Sequence, residues 1–253
     1  MFFGMTPWVQ RLVIMNVSAF FIQMAMPEVA EPLVLFPSAV FVQPWTLVTY
    51  MFLHGGIGHL FFNMLSLYFF GSRVEGRMGG DQFVRLYFVS GIVGGLLSVV
   101  FSPRSAVIGA SGAVFGVMLA FAMFWPRQPI YLWGFIPIEA RWLVLGTTAF
   151  AIFAVQSGAR DGVAHFAHLG GYVGGWLYLW WADRRSTVRQ FHKKVRAGPK
   201  EPVDTDLVTQ IDLSKVHEVN RDEVGRILAK VREKGAGSLT NAERLFLSNF
   251  IPQ

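Results

Sequence analysis

Six apolar stretches, each near the length that crosses a bilayer, fill the first 182 of 253 residues. They run at about 8–26, 60–70 extended to 74, 83–101, 108–125, 142–157 and 163–182. An α-helix rises 1.5 Å per residue, so roughly 20 mostly apolar residues span the hydrocarbon core. Lipid offers the backbone no hydrogen-bond partners, which leaves helices as the economical way to cross. The composition agrees: 53% of the chain is hydrophobic and only 15% charged, against about a quarter charged in an ordinary soluble domain. A soluble enzyme, a disordered chain and a disulfide-stapled scaffold are all poor matches. With no Cys, thiol catalysis, thiolate metal sites and disulfides are excluded.

The basic residues give an orientation. Residues 27–52 contain no Lys or Arg, only Glu28 and Glu31. The next connection holds Arg73, Arg77 and Arg85, and the one after it Arg104 alone. Arg127 and Arg141 follow, then Arg160, then a basic run that includes Arg184, Arg185, Lys193 and Lys194. Rich and poor connections alternate, as the positive-inside rule expects for six spans with both termini in the cytoplasm. The first stretch has no small-residue cleavage site and reads as an anchor helix, not a signal peptide. The net charge of +6 therefore reports orientation and a lipid surface. Nucleic acid is not expected as a partner, because only Phe191 is interleaved with the basic run.

Composition shifts near Asp183. We expect a membrane domain over 1–185, a basic, Pro-containing linker over 186–213, and a cytoplasmic helical hairpin over 214–253. Val216, Val219, Val224, Ile227, Leu228 and Val231 recur at helical spacing, and Gly235 and Gly237 stop the helix. Thr240 and Glu243 form a capping box that opens a second short helix through Leu245, Leu247 and Phe250. This tail reads as a docking or dimerising appendage with an unidentified cytoplasmic partner.

Polar residues within the spans are costly, which makes each one a functional candidate. The second span opens with His54, His59 and Asn63, the fourth with Gly109, Ser111 and Gly112, the sixth with His165, His168, Gly170 and Gly171. His59 and Asn63 share a helix face. Spans two, four and six run in the same direction, so His59, Ser111 and His168 fall at one depth near the outer surface. A hydroxyl, an imidazole and an imidazole–amide pair in one layer suit acyl transfer: a nucleophile, its base and oxyanion donors.

Plainer readings stand beside this one. Gly109-Ala-Ser111-Gly112 is also what a close helix contact looks like, as are Gly91, Gly94 and Gly95 and the Gly170, Gly171, Gly174 and Gly175 set. His59 could be a satisfied interior histidine, and His54 is expected at the water interface. The soluble hydrolase elbow is not matched, since Ala113 stands where it needs Gly. Four histidines at one depth suggest a metal, but the H-E-x-x-H spacing is missing and Asp161 is the nearest acid. No metal and no cofactor are expected.

Taken together, His54-x4-His59-x3-Asn63, Gly109-x-Ser111-Gly112 and Ala167-His168-x2-Gly171-x3-Gly175 resemble the three signatures of rhomboid intramembrane serine proteases. The likeness covers residues 8 to about 182. It implies an all-α, six-transmembrane-helix bundle in a bacterial inner membrane, with its site open to the outer side. By motif position Ser111 is the nucleophile and His168 the general base. His59, Asn63 and the Ser111 backbone N–H line the oxyanion hole, and Gly109 permits the turn into the fourth helix. The substrates implied are single-pass membrane proteins, cut in or near the bilayer. Phe115 stands where many relatives have Tyr, and is expected to hold the His168 ring by apolar contact. Thr46 stands where relatives often carry Arg, which puts an Arg role for that loop in doubt.

Three further expectations concern the connections. Phe36, Val40, Phe41, Val42 and Trp45 place the first loop partly in the outer leaflet, with Trp45 at the interface. Glu75 and Arg77 read as a helix-end ion pair on the cytoplasmic side. Residues 153–164 are a candidate lid over the site. A catalytically silent relative that binds unstable membrane helices remains the alternative function.

Overall fold

Apolar runs without internal Pro form the long helices, and Pro and Gly set their ends. The computed structural model describes residues 4–132, 134–157, 164–185 and 211–250. They fall in two compact units, Met1–Trp180 and Trp181–Gln253. Most of the expected linker and part of the expected lid, residues 186–210 and 158–163, lie outside the described residues.

In the first unit, Pro7 starts helix α1 (Pro7–Ala25). Helix α2 (Ile57–Ser66) passes through a π-helical turn at Leu67–Gly71 into α3 (Ser72–Met78). Helix α4 (Gly80–Phe101) and helix α5 (Ser111–Phe124) follow. Helix α6 (Ala140–Gln156) and, as far as Trp180, helix α7 (His165–Arg185) complete the series. Among the described residues, α1 and α4 are long and apolar enough to cross a bilayer by themselves. Helices α5 and α6 are apolar but shorter, at 14 and 17 residues.

The structure departs from the sequence reading at several points. Glu75 and Arg77 form no ion pair with each other. The Glu75 carboxylate instead accepts hydrogen bonds from the backbone N–H groups of Trp8 and Val9, both at 3.0 Å, and from the Thr6 hydroxyl. It thereby satisfies the orphan donors at the start of α1, where the helix dipole favours a negative charge. Arg77 lies over the rings of Phe124 and Trp125, 4.6 and 5.4 Å from their centroids.

The fold is also not purely helical. Between α5 and α6, strands β1 (Pro129–Leu132) and β2 (Ile136–Glu139) pair antiparallel. Pro129, Gly134 and Pro137 break a helix there, and the intervening Ile, Leu and Tyr suit a strand.

The first loop is a chain of short helical turns, pinned by the Leu35–Val107 bridge and by the Trp45 indole N–H donating to the Pro32 carbonyl at 3.0 Å. Phe41 is 92% exposed and Val42 73%, an apolar edge facing away from the protein. Thr46 is buried, with its hydroxyl donating to the Gln43 carbonyl at 2.6 Å.

In the second unit, helix α8 (Glu218–Lys234) ends at Gly235 in the left-handed region (φ 75°). Helix α9 (Asn241–Leu247) opens with the Thr240–Glu243 capping box. Val224, Ile227, Leu228, Val231, Leu239 and Leu247 form the core, joined by Ile211 and Val216. Val219 is not part of it: the helix starts at Glu218, and Val219, in its first turn, is exposed. The Glu243 carboxylate accepts from the Lys230 ammonium at 2.7 Å and the Thr240 N–H at 2.8 Å. The Lys230 bond first, and the Thr240 N–H second, hold its pKa down at about 2. Its folded value lies below its unfolded one, so its contribution is complete above about pH 4.3 and fades as pH falls toward 2. In the full chain in micelles, the methyl dispersion of Leu228 and Leu247 should diminish over that window. The step should shrink in Glu243→Gln, and a step of equal size in both chains would contradict the assignment.

Candidate active site

The site is built where three helices approach backbone to backbone at glycines. On α7, a Cβ at Gly171 would collide with the Gly112 carbonyl of α5, and one at Gly175 would lie 2.9 Å from Gly116 Cα. On the adjacent face of α7, a Cβ at Gly170 would lie 2.7 Å from Gly94 Cα of α4, and one at Gly174 2.9 Å from the Val89 carbonyl. In the opposite direction, a Cβ at Gly94 would lie 2.6 Å from the Ala167 carbonyl. Backbones this close let dispersion act between helices that gain little from hydrophobic burial in lipid.

That contact places the N-terminal turns of α5 and α7 side by side. His168 Nε2 lies 2.8 Å from Ser111 Oγ. The Phe115 ring, one turn along α5, stacks on the His168 imidazole with centroids 4.2 Å apart and planes at 17°. Tyr172, one turn along α7, packs against Phe115 with centroids 5.0 Å apart, and its hydroxyl meets Thr147 at 2.6 Å. The imidazole plane is therefore held by a flat apolar partner that is itself supported. His165 lies beside His168 with ring centroids 6.3 Å apart, against Phe150.

A second group reaches the same place from α2. Gly109 has φ 122°, a backbone that side chains rarely adopt, and a Cβ there would stand 2.7 Å from His59 Nε2. The same point is 3.7 Å from Ser111 Oγ. Glycine is thus required both for the turn and for the approach of the His59 ring. The Gly109 N–H donates to the Tyr50 carbonyl at 2.9 Å, and the Tyr50 hydroxyl donates to the Gly91 carbonyl at 2.7 Å. The fully buried Tyr50 so connects the turn before Ser111 to α4.

The His59 ring has a defined proton. The Gly55 N–H donates to His59 Nδ1 at 3.3 Å, which leaves the hydrogen of the neutral ring on Nε2, toward Gly109. Asn63 Nδ2 donates to the His59 carbonyl at 2.9 Å, and its remaining amide hydrogen is available to the cavity. His54 is buried, not at a water interface, and its ring meets the edge of His59 at 5.1 Å. Its backbone is gripped from α1. Gln23 Nε2 donates to the His54 carbonyl at 2.9 Å, and the His54 N–H donates to Gln23 Oε1 at 3.0 Å.

His59, Asn63, Ser111, Phe115 and His168 line one cavity of about 440 Å³, together with Phe62, Ser66, Ile108, Val114, Met118 and Ala164. The expected residues therefore converge. Gly112 and Gly171 act as contact surfaces between helices. The sequence reading missed Gly116, Tyr50 and Gln23. Gly116 could have been found from its spacing of four from Gly112. Tyr50 and Gln23 act on backbone atoms and leave no paired residue in the sequence. Among the described residues, no group of three or more His, Asp or Glu could hold a metal ion.

A helical membrane protein with a serine–histidine pair set among glycine contacts is thus what fold and site define. The rhomboid domain model matches residues 42–185, and the chain belongs to the rhomboid family. It is 38% identical to RHOMBOID-like protein 4 of Arabidopsis thaliana over 136 residues, 53% of this chain and 32% of the relative. It is 35% identical to RHOMBOID-like protein 2 of the same plant over 163 residues, 60% of this chain and 49% of the relative. With rhomboid protease GluP of Bacillus subtilis it shares 34% identity over 139 residues, 53% of this chain and 25% of the relative. The chain thus spans half or less of the length of these curated relatives.

The Gln23 contact makes a prediction. Gln23→Ala removes two hydrogen bonds, each of about 1 kcal/mol net, and loosens the backbone that presents the Gly55 N–H. Histidine ¹⁵N spectra should show His59 as the Nε2–H tautomer in the parent and a tautomer mixture in the variant. An unchanged His59 signal would contradict this linkage.

Proposed function

We propose that the chain is an intramembrane serine endopeptidase that hydrolyses peptide bonds in or near transmembrane segments through a Ser111–His168 dyad. The observation that carries this reading is the 2.8 Å approach of His168 Nε2 to Ser111 Oγ, under a ring stack that fixes the imidazole plane. Family membership and the relative named as a protease support it.

The geometry supports an acyl-transfer chemistry. As Ser111 Oγ attacks the scissile carbonyl carbon, its proton passes to His168 Nε2. The carbonyl oxygen gains negative charge and is met by the Ser111 N–H at the start of α5, by His59 Nε2–H and by the free amide hydrogen of Asn63. When the C–N bond breaks, the imidazolium returns its proton to the leaving amine. A water then gives a proton to His168 and attacks the acyl ester, and Ser111 recovers its hydroxyl.

The wider setting belongs to the same proposal. The membrane domain crosses the bilayer six times, with α2 and α3 acting as one span. The first and last spans leave both termini in the cytoplasm, so that Ser111 opens to the outer side, as in a bacterial inner membrane. Helix α5, at 14 residues, is about 21 Å long, short of the roughly 30 Å hydrocarbon core. A helix that ends at the inner boundary therefore starts below the outer one, where Ser111 meets a substrate helix. Single-pass membrane proteins are the substrates. Residues 186–213 link this domain to a cytoplasmic helical hairpin that docks an unidentified partner.

Cleavage of a transmembrane reporter in proteoliposomes tests the dyad. Ser111→Ala and His168→Ala should each lower the rate by ~10³-fold or more. His165→Ala should retain most of it, and a chelator should leave the parent unchanged. Full cleavage by either dyad variant would overturn the assignment. Loss on chelation with recovery on added zinc would replace it with a metal mechanism.

A further inference from the structure

The β-hairpin between α5 and α6 presents apolar side chains that nothing in its own unit covers. Residues 129–138 read Pro-Ile-Tyr-Leu-Trp-Gly-Phe-Ile-Pro-Ile, without a charge. Tyr131 is 60% exposed and Phe135 72%, and Ile136 is also exposed. A lone two-stranded hairpin is marginal in water, and a row of exposed apolar residues makes it worse.

This hairpin is nonetheless fastened to the bundle. The Gln128 N–H donates to the Trp125 carbonyl at 3.1 Å, the Ala140 N–H to the Gln128 carbonyl at 2.9 Å, and the Arg141 N–H to the Pro126 carbonyl at 3.1 Å. Gly134 (φ 85°) takes the left-handed position of the turn, and pairing extends from Pro129–Glu139 to Leu132–Ile136. Its position is therefore fixed relative to the end of α5.

The surroundings identify the occupant. Both adjoining helices also expose apolar residues: Met123 near the end of α5, and Trp142 and Leu145 in the first turns of α6. At the junction Arg141 bonds Glu139 at 2.7 Å and lies over the Trp142 ring at 5.1 Å. Aromatic rings beside arginine at a span's end are the signature of the headgroup level. The chain belongs to a membrane family, so the surface that meets Met123 and Leu145 is acyl chain, and the hairpin extends that contact.

We propose that the β1–β2 hairpin is an interfacial anchor, seated among lipid headgroups and upper acyl chains in the leaflet at the end of the bundle opposite Ser111. Its partner is the phospholipid surface. The anchor pins the C-terminal end of α5 at that boundary. The short α5 then holds Ser111 several ångströms inside the other boundary, so the hairpin sets the depth at which a peptide bond can reach the site. The anchoring rests on the membrane fold and stands whether or not the chain is a protease.

The absence of Cys makes a direct test simple. Phe135→Cys in the full chain carries an environment-sensitive dye and is reconstituted in phosphatidylglycerol–phosphatidylethanolamine vesicles. Phe135 is exposed, so the label displaces no core. Nitroxide lipids bearing the quencher high on the acyl chain should remove most of the emission, and aqueous iodide little of it. In a Phe135→Glu background, a dye at Ile136→Cys should shift to the red and become accessible to iodide. Strong iodide quenching of the first label without quenching by nitroxide lipids would overturn the proposal. So would protection from both quenchers with disulfide-linked dimers of the unlabelled Phe135→Cys chain, which would assign the surface to a second copy.

Discussion

The contact of α7 with α4 and α5 through glycine is the constraint on which the rest of the site depends. In lipid, helices are not driven together by expulsion of water, so they associate where surfaces fit closely enough for dispersion and short polar contacts to act. Gly171 and Gly175 face Gly112 and Gly116, while Gly170 and Gly174 face the backbone of α4. A single methyl on this seam would push the backbones apart. The position of His168 follows from that seam, because it lies three residues before Gly171 on the same helix.

Around the seam, the polar side chains of the cavity are held by neighbouring groups. Phe115 and Tyr172 hold the plane of His168. Gly55, positioned beside the Gln23–His54 pairing, sets the His59 proton. Tyr50 links the Gly109 turn to α4. Further away, Glu75 joins α3 to the start of α1. The Glu75 carboxylate is thus used for attachment between helices, while the side chains that line the cavity include no Asp, Glu, Lys or Arg.

The sequence made part of this legible for a physical reason. In an apolar background, polar residues stand out, and Ser111, His168, His59 and Asn63 were found because lipid makes their presence costly. The depth argument placed them in one layer without any structure. What stayed hidden acts through the backbone or across long separations. Glu75 and Arg77 sit two residues apart with opposite charge, yet the carboxylate serves α1, 66 to 69 residues away, and the guanidinium serves aromatic rings. Gln23 pairs with a main chain, so no partner residue marks it. Residues 129–138 form an apolar run too short to span, and periodicity does not separate a hairpin from a helix fragment there. Val219 was placed on the apolar face because the helical spacing was read from Val216, two residues before the helix starts at Glu218.

The account's central claim is that the glycine seam creates a reactive Ser111. Labelling of the full chain by a fluorophosphonate tests it most directly: Ser111 Oγ displaces fluoride from phosphorus, and mass spectrometry locates the adduct. The parent should be modified at Ser111. Gly146→Val, on α6 where a Cβ meets nothing within 4 Å, should be labelled at the parent rate. Gly171→Val should lose the label while its helicity by circular dichroism remains that of the parent. Labelling of Gly171→Val at the parent rate would contradict the claim.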